Sequence, residues 1–242
     1  MLWPGNTGTW HAFLCKIPPV STTLTSIEGE YGKMVQAKTA RVRPALNAEA
    51  SRIASMMTLG FADDPVCRRL YPDPEQYLTF FPEFVRLYGG AAFDHGRAHV
   101  MDGMGAALWI APGAHPDEAA IDDLIERSVD APARPEIFEV YAAMSRGHPQ
   151  EPHWFLPLIS VDPFVRGSGL GSALMEYGLA ACDKDGVPAY LDSTHPRNIP
   201  FYERFGFELV RTIEIGGHPP VYPMLRRPSA PAQSGCQDQR PL

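Results

Sequence analysis

Val165-Arg166-Gly167-Ser168-Gly169-Leu170-Gly171-Ser172-Ala173-Leu174 is the stretch that decides how this chain folds. Before it runs Trp154–Val161, where Trp154, Phe155, Leu156, Leu158, Ile159 and Val161 form an apolar strand signal. After it runs Gly169–Asp185, where Leu170, Ala173, Leu174, Tyr177 and Ala181 recur at helical spacing. Three glycines in five residues strip the turn of side chains and let backbone N–H groups converge. Those donors, with the positive end of the following helix, make an anion site, and Arg166 adds a cation. The expected ligand is a phosphate or pyrophosphate. The competing reading is a turn whose glycines only let helix and strand pack closely. The common nucleotide loops do not fit. No lysine lies between Arg166 and Lys184, and a Gly-x-Gly-x-x-Gly frame ends on Ser172 or Leu174. The loop also lies two-thirds along the chain, whereas a dinucleotide loop usually follows the first strand of its unit.

Outward from this loop, the chain alternates strand and helix signals. Ala40–Pro44 reads as a short strand, and Asn47 as the cap of a helix carrying Ile53, Met56, Met57 and Leu59. Glu75–Tyr88 reads as a helix ended by Gly89-Gly90. Ala98–Met101, Asp102-Gly103 and Gly105–Ile110 read as a hairpin. Asp117–Ser128 and Pro135–Arg146 read as helices, Pro188–Asp192 as a strand and Asn198–Phe205 as a short helix. Phe207–Ile215 and Val221–Arg226 read as closing strands. Hairpins beside strand–helix–strand crossovers predict an α/β fold with a mixed central sheet and helices on both faces.

Composition narrows the class. The 242 residues are 45% hydrophobic and 20% charged, an ordinary globular balance. No apolar run approaches the roughly 18–20 residues of a membrane span. Cys15, Cys67, Cys182 and Cys236 lie far apart, with no spacing for a zinc site or a disulfide framework, which predicts a reducing, cytoplasmic setting. Prolines number 25, too many for an all-helical bundle. Net charge is −7, and residues 39–225 carry 15 cations against 25 acids. That acidic body disfavours nucleic acid and favours a cationic small partner. Residues 1–38 show no lasting periodicity and read as a mobile leader, with Met34 as an alternative start. Residues 228–242, rich in Pro, Ser and Gln, read as a disordered tail. The expected organisation is leader, one domain over 39–227, and tail.

Two segments carry a family resemblance. Arg166-Gly167-Ser168-Gly169-Leu170-Gly171 resembles the R/Q-x-x-G-x-G/A signature of the GCN5-related N-acetyltransferase (GNAT) superfamily. Asn198-Ile199-Pro200-Phe201-Tyr202-Glu203-Arg204-Phe205-Gly206-Phe207 is similar to the N-x-x-x-x-Y-x-x-x-G-F segment near the end of these enzymes. The run from His153 to Phe207 looks closest to the branch containing puromycin N-acetyltransferase. The resemblance implies an N-acetyltransferase that moves an acetyl group from acetyl-CoA to a primary amine, most simply on a small molecule, without a metal. A protein lysine or N-terminal acetyltransferase and a non-catalytic acyl-CoA-binding module are the alternatives. The expected partner is the amine alone, with no nucleic acid or membrane, in a monomer or homodimer.

The resemblance also assigns roles. Arg166, Gly167, Ser168, Gly169, Leu170, Gly171 and Ser172 would hold the CoA pyrophosphate. Ile159, Ser160 and Val161 would pair with the pantetheine amides as an added strand would. Trp154–Val161 and Pro188–Asp192 would splay apart around the cofactor. Asn198 and Tyr202, four apart on one helix face, would cross the gap, with Tyr202 as the acid that protonates the leaving thiolate. Tyr202 also fits an aromatic packing cluster with Phe201, Phe205 and Phe207. Asp192 is the candidate base or ammonium anchor, and a solvated strand-end carboxylate is its bland reading. His153 and His195 are further base candidates. Glu139, Tyr141, Phe61, Asp63 and Asp64 are candidates to line the acceptor pocket.

Overall fold

The computed structural model describes residues 41–229 except 95 and 102. The expected leader over 1–38 and nearly all of the expected tail lie outside the described residues. The described strands are β1 (Arg43–Pro44), β2 (Ala98–Met101), β3 (Gly105–Ile110), β4 (Trp154–Val161), β5 (Ala189–Ser193), β6 (Glu208–Leu209) and β7 (Tyr222–Arg226). They form one sheet in the order β1-β2-β3-β4-β5-β7-β6. Among them β4 and β5 are the one parallel pair, and every other pairing is antiparallel. This is the mixed α/β architecture that the alternation of hairpins and crossovers requires.

Several helices start where short side chains satisfy the free N–H groups of a first turn. Asp64 accepts from the amides of Val66 and Cys67 ahead of α2 (Pro65–Leu70), which follows α1 (Ala50–Gly60). Asp73 accepts from Gln76 ahead of α3 (Pro74–Gly89). Both pairs are Asp-Pro, a capping residue followed by the residue best tolerated at the first helical position. After the short α4 (Ala91–Asp94), Asp117 caps α5 (Glu118–Ser128). Then come α6 (Arg134–Ser145), α7 (Leu170–Asp185) and α8 (Ile199–Glu203).

Both faces of the sheet are covered, so β3 is buried along its whole length. Ala106 and Leu108 join a core with Ile53, Met57, Phe81, Val85 and Leu124. Trp109 faces α7, where Gly178 lets it approach: a Cβ on Gly178 would lie 2.0 Å from the Trp109 indole nitrogen.

Three expectations need correction, and one element is added. Asn47 does not cap a helix; it opens a 3-10 turn, Asn47–Glu49, that leads into α1. Helix α2 lies in a segment to which no element is assigned above. The closing strand expected over Phe207–Ile215 is only β6 plus an isolated bridge between Ile213 and Val221. The helix expected over Asn198–Phe205 is a 3-10 turn followed by five residues, because Pro200 sits in its first turn and Gly206 leaves it at φ +83°.

Candidate active site

Strands β4 and β5 are paired only at Trp154–Ala189 and Phe155–Tyr190. Beyond Phe155, β4 continues to Val161 on β3 alone. The reason lies in the register. Leu108 faces Leu158 and Ile110 faces Phe155, so β4 carries one extra residue at Leu156-Pro157. Such a bulge bends its strand, and Pro157 has no N–H to offer a neighbour. The strands therefore part, and the β5-facing edge of Leu156–Val161 is left without a strand partner. A free strand edge is what an extended amide ligand pairs with.

The glycine loop stands at the mouth of that gap. Gly167 and Gly169 have φ of +80° and +87°, and nothing lies within 4 Å of a Cβ built on either. Side chains there would be strained and would fill the space in front of the α7 N-terminus. An outer cleft of about 430 Å³ is lined by Ile159, Ser160 and Val161, by Arg166, Gly167, Gly169, Gly171 and Ser172, and by Asn198 and Tyr202. Two of the sequence candidates sit elsewhere. Leu170 is buried in the packing of α7, and the Ser168 hydroxyl donates to the Val165 carbonyl at 2.6 Å.

Arg166 is engaged within the protein. Its guanidinium reaches the Asp63 carboxylate at 3.3 Å and the Gly60 carbonyl at 2.6 Å. Arg197 meets the same carboxylate at 2.7 Å. Partial burial of Asp63 works against ionisation, but the two guanidinium groups hold its pKa down to about 2. Asp63 therefore competes with an anion for both cations at the cleft. Asp63→Asn is expected to tighten binding of a polyphosphate anion at the cleft by about two- to fivefold, the span of an exposed ion pair. Titration calorimetry checks this, and weaker binding by the variant would contradict it.

An inner cavity of about 70 Å³ adjoins it, lined among others by Tyr88, Tyr141, Leu158, Leu191 and Asp192. Phe61, Ile159, Asn198 and Tyr202 line both spaces, so the two meet there. Tyr202 packs against Phe201 and Phe207 with ring centroids 5.3 and 6.1 Å apart. It is thus at once a member of the aromatic cluster and a wall of both cavities. Burial, with a smaller push from the Asp64 charge, raises its phenol above the ordinary range.

Asp192 is not a solvated strand end. Its side chain is 2% exposed. Tyr190 donates to Oδ1 at 3.1 Å, and Oδ2 is buried without a hydrogen-bond partner. Burial pushes its pKa up to about 7, opposed by the Tyr190 hydroxyl and the Arg211 charge.

The remaining candidates separate. His153 joins His148 at 3.0 Å, close to Asp192; nothing in the sequence singles out His148. His195 accepts from the Arg197 amide and so caps the turn before α8. Asp64 caps α2 and accepts from Thr194 at 2.6 Å. Tyr141 lines the inner cavity, while Glu139 is exposed and lines neither space. Among the described residues no cluster of three or more His, Cys, Asp or Glu side chains is placed to hold a metal ion. None of the described helices is long and apolar enough to cross a membrane.

Comparison with known proteins bears on the fold and its class. Residues 135–207 match the model of the Acetyltransferase (GNAT) family. An uncharacterized N-acetyltransferase of Schizosaccharomyces pombe is 26% identical over 201 residues, 76% of this chain and 81% of the relative. The structure of the histone acetyltransferase HPA2 and related acetyltransferase from Corynebacterium glutamicum aligns with a TM-score of 0.56 and 23% identity, over 80% of this chain and 99% of that one. Arylalkylamine N-acetyltransferase 2 of Aedes aegypti aligns with a TM-score of 0.58 and 15% identity, over 78% of this chain and 99% of that one. The fold is the one shared by GNAT acetyltransferases. Together the matches support an acyltransferase enzyme of the GNAT type. Enzymes of that family use acetyl-CoA as co-substrate.

Proposed function

We propose that the protein transfers the acetyl group of acetyl-CoA to the primary amine of a small, cationic molecule. The observation that carries this reading is the meeting of two spaces at Tyr202 and Asn198. One space is bounded by a glycine loop and a free strand edge, and the other holds a buried carboxylate.

The outer cleft supplies what a CoA thioester needs. Backbone N–H groups of the Arg166–Gly171 loop and the α7 N-terminus face its pyrophosphate. The open edge at Ile159–Val161 offers amides to the pantetheine arm and a backbone N–H to the thioester oxygen as it gains charge. The inner cavity supplies what an amine needs. Asp192 draws in the ammonium and takes its proton, so that a neutral nitrogen attacks. Tyr88 and Tyr141 line it with aromatic rings, the kind of surface on which a cation or an arylalkyl group packs. Tyr202 then returns a proton to the departing thiolate.

The cavity wall favours a small acceptor. Ile137, Val140, Tyr141 and Met144 of α6 close the inner cavity over the acceptor side. A peptide would need an open groove there. The branch containing puromycin N-acetyltransferase, which the run from His153 to Phe207 resembles, is the part of the family this reading favours. The name of the Aedes aegypti neighbour, an arylalkylamine N-acetyltransferase, points the same way.

Gly169→Asp tests the cofactor half. It forces a side chain onto a residue at φ +87° and sets a negative charge where the pyrophosphate would lie. Acetyl-CoA affinity measured by calorimetry should fall by at least about 10-fold, the cost of one like-charge contact. Unchanged affinity in a folded variant would contradict the loop assignment.

A further inference from the structure

Behind Asp192 lies a chain of hydrogen bonds whose direction can be worked out from one end. The Glu151 carbonyl sits 2.9 Å from Nδ1 of His153. A carbonyl only accepts, so Nδ1 of His153 carries a hydrogen, and in the neutral ring Nε2 is bare. That bare Nε2 is 3.0 Å from Nδ1 of His148, which must donate. Neutral His148 therefore has a bare Nε2 as well, and it faces Oδ2 of Asp192 at 4.0 Å. Tyr190 occupies Oδ1 as a donor, and Oδ2 is the buried oxygen without a partner. Two acceptors face each other across 4.0 Å, beyond direct hydrogen-bond reach.

The surroundings hold this arrangement. His148 is wedged between the rings of Phe155 and Tyr190, with centroids 4.6 and 4.5 Å away. Its pKa is pushed down to about 4, above all by burial. The other groups facing the pair are Tyr88 from α3, Tyr141 from α6, Tyr190 from β5 and Arg211. Arg211 is held by the Ala143 carbonyl at 2.8 Å.

We propose that Asp192 and His148 act in sequence as the base for the acceptor amine, Asp192 taking the proton and His148 passing it on, and that His153 is the positioning residue that keeps Nε2 of His148 bare. This rests on reading Asp192 as the group that meets the amine. An N–H bond of the ammonium breaks, its electron pair stays on nitrogen, and an O–H bond forms at Oδ2. The Oδ2–H bond then breaks as an N–H bond forms at Nε2 of His148, across a 4.0 Å gap that must first close or take up one water. The proton passes to water from His148, whose side chain is 26% exposed.

The ring protons can be read without catalysis. In full-length protein labelled with ¹⁵N-histidine, two-bond nitrogen–proton couplings at pH 7 should show His148 neutral with its hydrogen on Nδ1. His153→Phe removes the acceptor of the His148 Nδ1 hydrogen and should shift His148 towards the Nε2–H form. A wild-type His148 carrying its hydrogen on Nε2, or on both nitrogens, overturns the proposal. Kinetics give a second readout. His148→Gln places an amide donor against Oδ2 and holds Asp192 ionised. The acidic limb of kcat for an amine acceptor should move down by about one pH unit or more, with kcat reduced up to about tenfold and acetyl-CoA affinity unchanged. An unmoved limb also overturns the proposal. A wild-type protein that acetylated no amine would instead overturn the reading of the function, and the ring assignments would stand or fall separately.

Discussion

Tyr202→Phe should lower kcat about 100-fold, the low end for loss of a general acid, and leave acetyl-CoA affinity nearly unchanged. The phenylalanine keeps the ring that packs on Phe201 and Phe207 and removes only the hydroxyl. Because burial raises the phenol, it remains protonated across neutral pH and acts as a donor there. A raised phenol is also a weaker acid, and an ordinary thiol near pKa 8.5 is a poor match for it. The same dry surroundings raise the thiol, since desolvation penalises any anion. The transfer then occurs between two groups shifted in one direction, as the carbon–sulfur bond breaks. Steady-state kinetics with a saturating amine checks the split. Equal kcat in both proteins would leave Tyr202 as packing alone.

Asp192→Asn should have two effects of opposite sign. The first is functional: kcat/KM for a cationic amine falls about 10- to 150-fold, the range of a charge-assisted hydrogen bond of roughly 1.5–3 kcal/mol. Loss in kcat with a flattened pH profile marks a base, whereas loss in KM marks an anchor. The second effect is on stability. The folded-state pKa of Asp192 is raised from 3.8 to about 7, so the native protein binds this proton more tightly than the unfolded chain does. Stability from this group is intact below about pH 4 and is lost as pH rises through 7. The buried carboxylate then costs on the order of 4 kcal/mol above pH 8. The substituted amide would still accept from Tyr190 and carry no charge. The variant should therefore unfold at a higher temperature than wild type at pH 9 and at a similar one at pH 4. Matching melting curves at both pH values would contradict the burial of a charge at this position.

Much of the site is legible in the sequence because its signals are local. The loop from Arg166 to Gly171, strand Trp154–Val161 and the hairpin Ala98–Ile110 each rest on spacing within a few residues. Helix α2 escapes the pattern of apolar spacing because it is only six residues long, although Asp64-Pro65 carries both a cap and a first-turn proline. Pro157 inside an otherwise unbroken apolar strand is a readable sign of the bulge that opens the gap. Other features have no local trace. The ion pair of Arg166 with Asp63 joins residues 103 positions apart. The apposition of His148 and Asp192 depends on where the chain between α6 and β4 lands against β5. Asp192 itself is visible as a strand-end carboxylate, but its burial follows from the rings of Tyr88, Tyr141 and Tyr190 packed around it.

The most direct test is acetyl-CoA-dependent thiol release by the full-length protein over a panel of acceptors. The panel should hold small cationic amines, arylalkylamines, anionic amino acids and lysine-bearing histone-tail peptides. Release is expected with small cationic or arylalkyl amines, with an N-acetyl product of matching mass, and little with the anionic acceptors or the peptides. Preferential turnover of the peptides, or acetyl-CoA binding without release on any amine, would contradict a small-molecule N-acetyltransferase.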